Sequence, residues 1–159
     1  MSHTAMDKHA EIWIEQLEAN ENPLACSSKK NMEEAYALAY VLYQNKRYVE
    51  SELFFRTLVA IHPSEIKFWK GFGSCLQMQQ DYQQALNCYL SCVQLMEEEN
   101  IDPYVFVQIA DCYFALKQTH YALKVLECAY VIAKKTNLQP IIQHVLFLRE
   151  THNQVKNVN

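Results

Sequence analysis

The chain has 159 residues, half of them apolar and a fifth charged, and its 14 basic and 18 acidic side chains give a net charge of −4. That balance belongs to a folding chain rather than a disordered one, and with no sustained basic run beyond pairs such as Lys29-Lys30 and Lys134-Lys135 it argues against nucleic acid, whose counterions a basic face must replace. Two glycines and four prolines are too few for a phosphate cradle, a dinucleotide-binding turn or a turn-rich sandwich, and they favour long helices on short turns.

Apolar periodicity and its interruptions predict helices over 7–19, 32–45, 48–61, 65–78, 82–97, 103–116, 119–134 and 138–150. The breaks are Asn22-Pro23, Asn45 to Arg47, His62-Pro63-Ser64, Gln80-Asp81 and Asn137 to Pro140. In the first helix Ile12, Trp13, Ile14 and Leu17 form an apolar stripe. Residues 1–20 are interrupted by Asp7, Lys8, Glu11, Glu15 and Glu18, so no secretory leader is expected, and no apolar stretch is long enough to span a bilayer. A reducing compartment follows, with Cys26, Cys75, Cys88, Cys92, Cys112 and Cys128 as free, mostly buried thiols. The polar tail Thr151 to Asn159 has little to bury and is expected to be disordered.

The helices repeat. A shift of 34 residues lays Leu38 on Phe72, Ala39 on Gly73, Tyr48 on Tyr82, Phe55 on Tyr89 and Leu58 on Cys92. A further shift of 37 lays Gly73 on Ala110, Cys75 on Cys112, Ala85 on Ala122 and Cys92 on Ala129, so about three extra residues belong to the connection within Glu97 to Asp102. Pro103 then opens a helix, where its missing amide costs nothing. The alternation resembles the tetratricopeptide consensus of large, small, aromatic, alanine and aromatic. It is carried by Trp69, Gly73, Tyr82, Ala85 and Tyr89 in one unit and by Ala35, Ala39, Tyr48, Ser51 and Phe55 in another. Phe106, Ala110, Ala122 and Leu126 carry it more weakly in a third, where Thr119 lacks the expected aromatic.

The expected architecture is therefore all-α, a right-handed stack of three such hairpins over 32–134. Residues 1–31 form an N-terminal helical segment and linker, and 135–159 a C-terminal capping helix and tail. Small residues at Ala39, Gly73 and Ala110 let helices approach; Gly73 in particular implies a steric demand, because glycine is unfavourable inside a helix.

In such a stack the first helix of each hairpin faces the concave side. Tyr36, Tyr40 and Tyr43 form one stripe there, equally readable as groove or as helix packing. The corresponding positions are Lys67, Lys70, Ser74 and Gln77, then Tyr104, Val107, Asp111 and Phe114.

From near Glu34 to about Ala133 the sequence resembles the class II chaperones of bacterial type III secretion. The matching runs are Ala35-Tyr36-Ala37-Leu38-Ala39-Tyr40, Tyr43-Gln44 with Tyr48, Gly71-Phe72-Gly73-Ser74-Cys75 with Gln77, and Ala110-Asp111-Cys112. The resemblance implies a chaperone of the bacterial cytoplasm that holds hydrophobic translocator proteins soluble and export-competent, without ATP or another cofactor. It implies groove contacts at Tyr36, Tyr40, Tyr43, Tyr48, Phe55, Ile61, Phe72 and Tyr89; repeat geometry adds Lys67 and Lys70. Tyr40→Ala or Tyr89→Ala is then expected to weaken client binding without unfolding the scaffold. It also implies that Ile12, Trp13, Ile14 and Leu17 join homodimer contacts, the alternative being that they cap the first hairpin internally. Relatives often have glycine before the aromatic that opens a second helix; here Asn45-Lys46-Arg47 and Gln79-Gln80-Asp81 stand in those turns, and Lys46 and Gln80 accept a left-handed backbone less readily.

Catalysis finds no footing. Cys88 and Cys92 are four apart on a helix but lack further ligands for a metal, and the six histidines sit near termini, loops and helix ends without an orienting partner. The main rival to a chaperone is a generic repeat adaptor that assembles a cytoplasmic protein complex through its convex face, and a lesser one is a small enzyme whose acid and base converge only after folding.

Overall fold

A computed structural model describes residues 3–19 and 29–156, and among them every regular element is helical. In chain order these are α1 (His3–Glu18), α2 (Lys29–Gln44), α3 (Tyr48–Ile61), α4 (Ile66–Met78), α5 (Tyr82–Leu95), α6 (Pro103–Ala115), α7 (Thr119–Lys135) and α8 (Gln139–Lys156). A 3-10 turn at Glu98–Asn100 occupies the connection where the repeat spacing lengthens. The following helix opens as its sequence requires, with Pro103 in its first turn and the Asp102 carboxylate accepting the Tyr104 amide at 3.0 Å. Cys26 lies outside the described residues.

The chain forms two compact units, Met1–Cys88 and Tyr89–Asn159. In the first, the core is built from Ala35, Leu38, Ala39 and Leu42 of α2, Phe54, Phe55, Leu58 and Val59 of α3, and Phe68 and Cys75 of α4. The smallest side chains lie where helices touch: Ala35 and Ala39 are wholly buried. Ser51, in the place of the repeat's usual alanine, is buried as well. Its hydroxyl donates to the Ala39 carbonyl at 2.7 Å and receives the Cys75 thiol at 3.2 Å, tying α2, α3 and α4 together. Between α3 and α4, the Trp69 indole donates to the Pro63 carbonyl at 2.7 Å and closes the inter-repeat loop.

The second unit packs Val107 and Ala110 of α6, Ala122, Leu126, Ala129 and Ala133 of α7, and Ile141, Ile142 and Val145 of α8 into its own core. The tail departs from its expectation: α8 runs on through Lys156 rather than ending near residue 150. The Thr151 hydroxyl donates to the Phe147 carbonyl, and the His152 ring stacks on Phe114 with centroids 3.8 Å apart. A polar segment thus gains one aromatic contact that its composition does not advertise.

Four turns share one construction. Lys46, Gln80, Lys117 and Asn137 all have φ between 54° and 66°, the left-handed region. The residue after each donates its amide five positions back, Arg47 to Leu42, Asp81 to Leu76, Gln118 to Tyr113 and Leu138 to Ala133, at 2.8 to 2.9 Å. This is the Schellman closure of a helix C-terminus, usually built on glycine or asparagine. Asn137 is suited to it; the two lysines and the glutamine are held there by the closing hydrogen bonds.

Candidate functional site

The concave stripe of α2 and the first turns of α4 enclose an open cleft of about 220 Å³ lined by Tyr36, Tyr40, Tyr43, Phe55, Lys67, Lys70, Gly71 and Ser74. Helical spacing explains the wall composition. Tyr36, Tyr40 and Tyr43 recur at four and three on α2, and Lys67, Lys70, Gly71 and Ser74 recur at three, one and three on α4, each set following one face.

Phe55 forms the floor. A β-carbon built on Gly71 would lie 2.2 to 2.6 Å from three atoms of its ring, so α3 and α4 reach this separation only because Gly71 has no side chain. The sequence places the steric demand at Gly73; the structure gives Gly71 this closest contact, while Gly73 is buried within α4. The signal available for Gly71 is its place on the lysine-bearing stripe, four residues after Lys67.

The walls are ordered by aromatic contacts. Tyr36 meets Phe55 edge-on at 6.0 Å and Phe68 at 5.7 Å. Tyr43 meets Tyr48 edge-on at 5.3 Å. The Lys67 ammonium stands 5.2 Å from the centroids of both Tyr36 and Phe68, a cation over two ring faces at the rim. Burial raises the pKa of the Tyr43 hydroxyl, with Cys75 and Tyr48 adding to the rise, so Tyr43 stays a neutral donor. Tyr40 is 52% exposed and projects its ring where an incoming group meets it first.

Six of the ten groove residues expected from sequence are thus assembled in one cleft: Tyr36, Tyr40, Tyr43, Phe55, Lys67 and Lys70. Tyr48 stands behind Tyr43, and Ile61 and Phe72 are partly buried against the first unit's core. Tyr89 differs. It is fully buried, and its hydroxyl accepts from the Gln108 amide at 3.1 Å, so cutting it back to alanine would empty a packed site and the expectation of a harmless Tyr89→Ala does not hold. Of the third unit's positions, Val107 is core and Phe114 carries His152, leaving Tyr104 exposed. Asp111 is partly buried; burial raises its carboxyl pKa while His144 opposes the rise.

The N-terminal stripe divides between packing and solvent. Trp13 stacks on Phe54 at 6.0 Å, Ile14 is buried beside it and Leu17 packs on the same core, so these three cap the first unit. Ile12 is 53% exposed. Arg47 fastens the cap, reaching Glu11 of α1 at 2.9 Å and Glu50 of α3 at 3.1 Å.

Among the described residues no group of three His, Cys, Asp or Glu side chains is arranged to hold a metal. Cys75, Cys88, Cys92 and Cys112 are buried and Cys128 is exposed. Burial pushes the Cys75 thiol up to about 11 and the Cys112 thiol up to about 12, away from the reactive thiolate. No described helix is long and apolar enough to cross a membrane.

The fold and the cleft define a protein of tetratricopeptide-type helical repeats, and the tetratricopeptide repeat family model matches residues 32–61 and 66–94. No curated protein sequence matches the chain. Among solved structures, a chain of the CopN-Scc3 complex is 32% identical, with 77% of this chain and 71% of that one covered and a TM-score of 0.71. The Yersinia enterocolitica type III secretion chaperone SycD, solved with a peptide of the translocator YopD, is 23% identical over 81% of this chain and 97% of that one, with a TM-score of 0.73. PcrH, solved with the chaperone binding region of PopD, is 21% identical over 82% and 96%, with a TM-score of 0.74. The chain belongs to the family of the chain it matches in the CopN-Scc3 complex, and it shares its fold with the type III secretion chaperone SycD and with PcrH.

Proposed function

We propose that the chain holds an extended segment of a hydrophobic type III translocator in the tyrosine cleft, in the bacterial cytoplasm, and so keeps that client soluble and export-competent. The observation that carries this reading is the cleft itself: an open, tyrosine-walled hollow on the first helices of the repeats, in a chain that shares its fold with SycD, solved with a translocator peptide, and with PcrH, solved with chaperone binding regions of PopB and PopD. Its volume of about 220 Å³ is below the roughly 300–1,000 Å³ of drug-sized ligand sites and suits a single apolar side chain. Tyrosine fits such a place because its ring removes apolar area from water while its hydroxyl remains hydrated.

In this reading Tyr36, Tyr40, Tyr43 and Phe55 contact the anchor, Lys67 and Lys70 supply polar contacts, and Tyr48, Ile61 and Phe72 hold the walls. The module is 32–134, with the segment before it acting first as a cap. A homodimer would use Ile12, the exposed member of the α1 stripe, rather than the buried Trp13 and Ile14. The work is binding, not turnover. Titrating the soluble N-terminal segment of a type III translocator that co-purifies with this chain against wild type and Tyr40→Ala tests the reading. At least a tenfold loss in the variant is expected; an unchanged affinity would transfer the function to the convex face, as an adaptor requires.

A further inference from the structure

The cleft is charged unlike the chain that carries it. The protein is acidic, with a net charge of −4, yet the eight cleft residues include Lys67 and Lys70 and no carboxylate. Both lysines lie on one face of α4, three residues apart and therefore neighbours on the helix surface. Lys67 is held over the Tyr36 ring, which is itself a cleft wall, so its charge is at the rim where a ligand enters.

An extended segment has side chains alternating between faces, so the residues that accompany a buried anchor on the same side are two positions away, roughly 6.5–7 Å along the chain. We propose, resting on the reading of the cleft as the client site, that it selects an apolar anchor with an aspartate or glutamate two residues from it, the carboxylate pairing with Lys67 at the rim while Lys70 adds to the positive field. A basic residue at that position meets two ammonium groups and is rejected. The aromatic cleft therefore reads the charge beside the anchor as well as the anchor's apolar bulk, and discriminates among segments of equal hydrophobicity.

The test uses the full chain and acetylated, amidated ten-residue peptides of Ser and Gly carrying one Leu, with Glu two residues to either side of it. Gln and Lys replace Glu in two companion peptides, and Ser replaces Leu in a control. Binding is followed by NMR at the Gly71 amide and the Tyr40 ring, at low salt and in 0.5 M salt. The Glu peptide is expected to bind about five- to tenfold more tightly than the Gln peptide, with the Lys peptide weakest and the spread narrowing in high salt. In Lys67→Gln/Lys70→Gln the Glu peptide should fall to the affinity of the Gln peptide. Equal binding of the Glu and Gln peptides to wild type, or a preference that survives the double substitution, overturns the charge selection while leaving a Leu-dependent cleft intact. Absence of any Leu-dependent response at Gly71 removes the cleft as the client site and this inference with it. Should the double variant misfold, the wild-type comparison and its salt dependence decide alone.

Discussion

Gly71→Ala is the sharpest probe of the cleft. The added methyl would stand 2.2 Å from Phe55 Cε1, 2.4 Å from Cζ and 2.6 Å from Cδ1, where carbon atoms need roughly 3.5–4.0 Å. The ring must therefore retreat by more than an ångström. Behind it lies the packed core containing Phe54 and Leu58, and beside it lies the cleft, so the open direction is into the cleft. Overpacking of this kind costs about 1–3 kcal/mol, while replacing a mid-helix glycine by alanine returns about 1 kcal/mol. The net loss of stability is then at most about 2 kcal/mol by urea unfolding, small beside the effect on binding. With Phe55 occupying the anchor's place, affinity for the Leu-Glu peptide should fall at least tenfold. Phe55→Leu in the same background should recover part of the stability loss, because the two positions are coupled through direct contact. A variant that gains about 1 kcal/mol, as helix propensity alone dictates, and binds unchanged would refute the argument that this glycine shapes the floor.

Other substitutions probe the scaffold. Lys46→Gly, Gln80→Gly and Lys117→Gly should each stabilise by about 1 kcal/mol, since each relieves a left-handed side-chain-bearing residue; loss of stability in any of them on urea unfolding would contradict the turn geometry. Trp13→Ala should cost about 3 kcal/mol and expose α1 to limited proteolysis, whereas an unchanged digestion pattern would show that the helix does not cap the first unit. A disulfide-exchange reagent at pH 8 should modify Cys128 rapidly and Cys75 and Cys112 only after denaturation. Because these two thiols are raised in the folded state, the stability they contribute is complete below the ordinary thiol range. It is lost as pH climbs through that range towards 11 for Cys75 and 12 for Cys112, so unfolding curves should soften on the alkaline side; a rise in stability there would reverse the sign.

Helix order and repeat spacing were legible because they depend on periodicity, which a single chain displays in full. The starts of α3, α5, α6 and α7 agree with the sequence reading to the residue, and the three extra residues fall at the Glu98–Asn100 turn as the lengthened repeat requires. Tyr36, Tyr40 and Tyr43 were visible as a stripe, but periodicity does not say whether a stripe meets a neighbour or a hollow. That depends on Gly71, whose effect is exerted on Phe55 sixteen residues earlier in the sequence. Tyr89 was misjudged for a related reason: repeat alignment sets it beside Phe55, and only its Gln108 hydrogen bond and full burial reveal a packing role. The extension of α8 brings His152 onto the Phe114 ring, thirty-eight residues away in sequence, a contact that no local pattern encodes.

The common construction of the four turns bears on where this molecule tolerates lengthening. Each closure joins an amide to the carbonyl five residues before it, so an added residue would put the donor out of register and leave the end of the helix open. The Glu98–Asn100 turn carries no such closure, has exposed residues at all three positions, and already holds the residues by which the third repeat outgrows the second. A fluorophore-bearing loop or an affinity tag belongs there, and the same insertion between Asn45 and Arg47 would unfasten a hairpin.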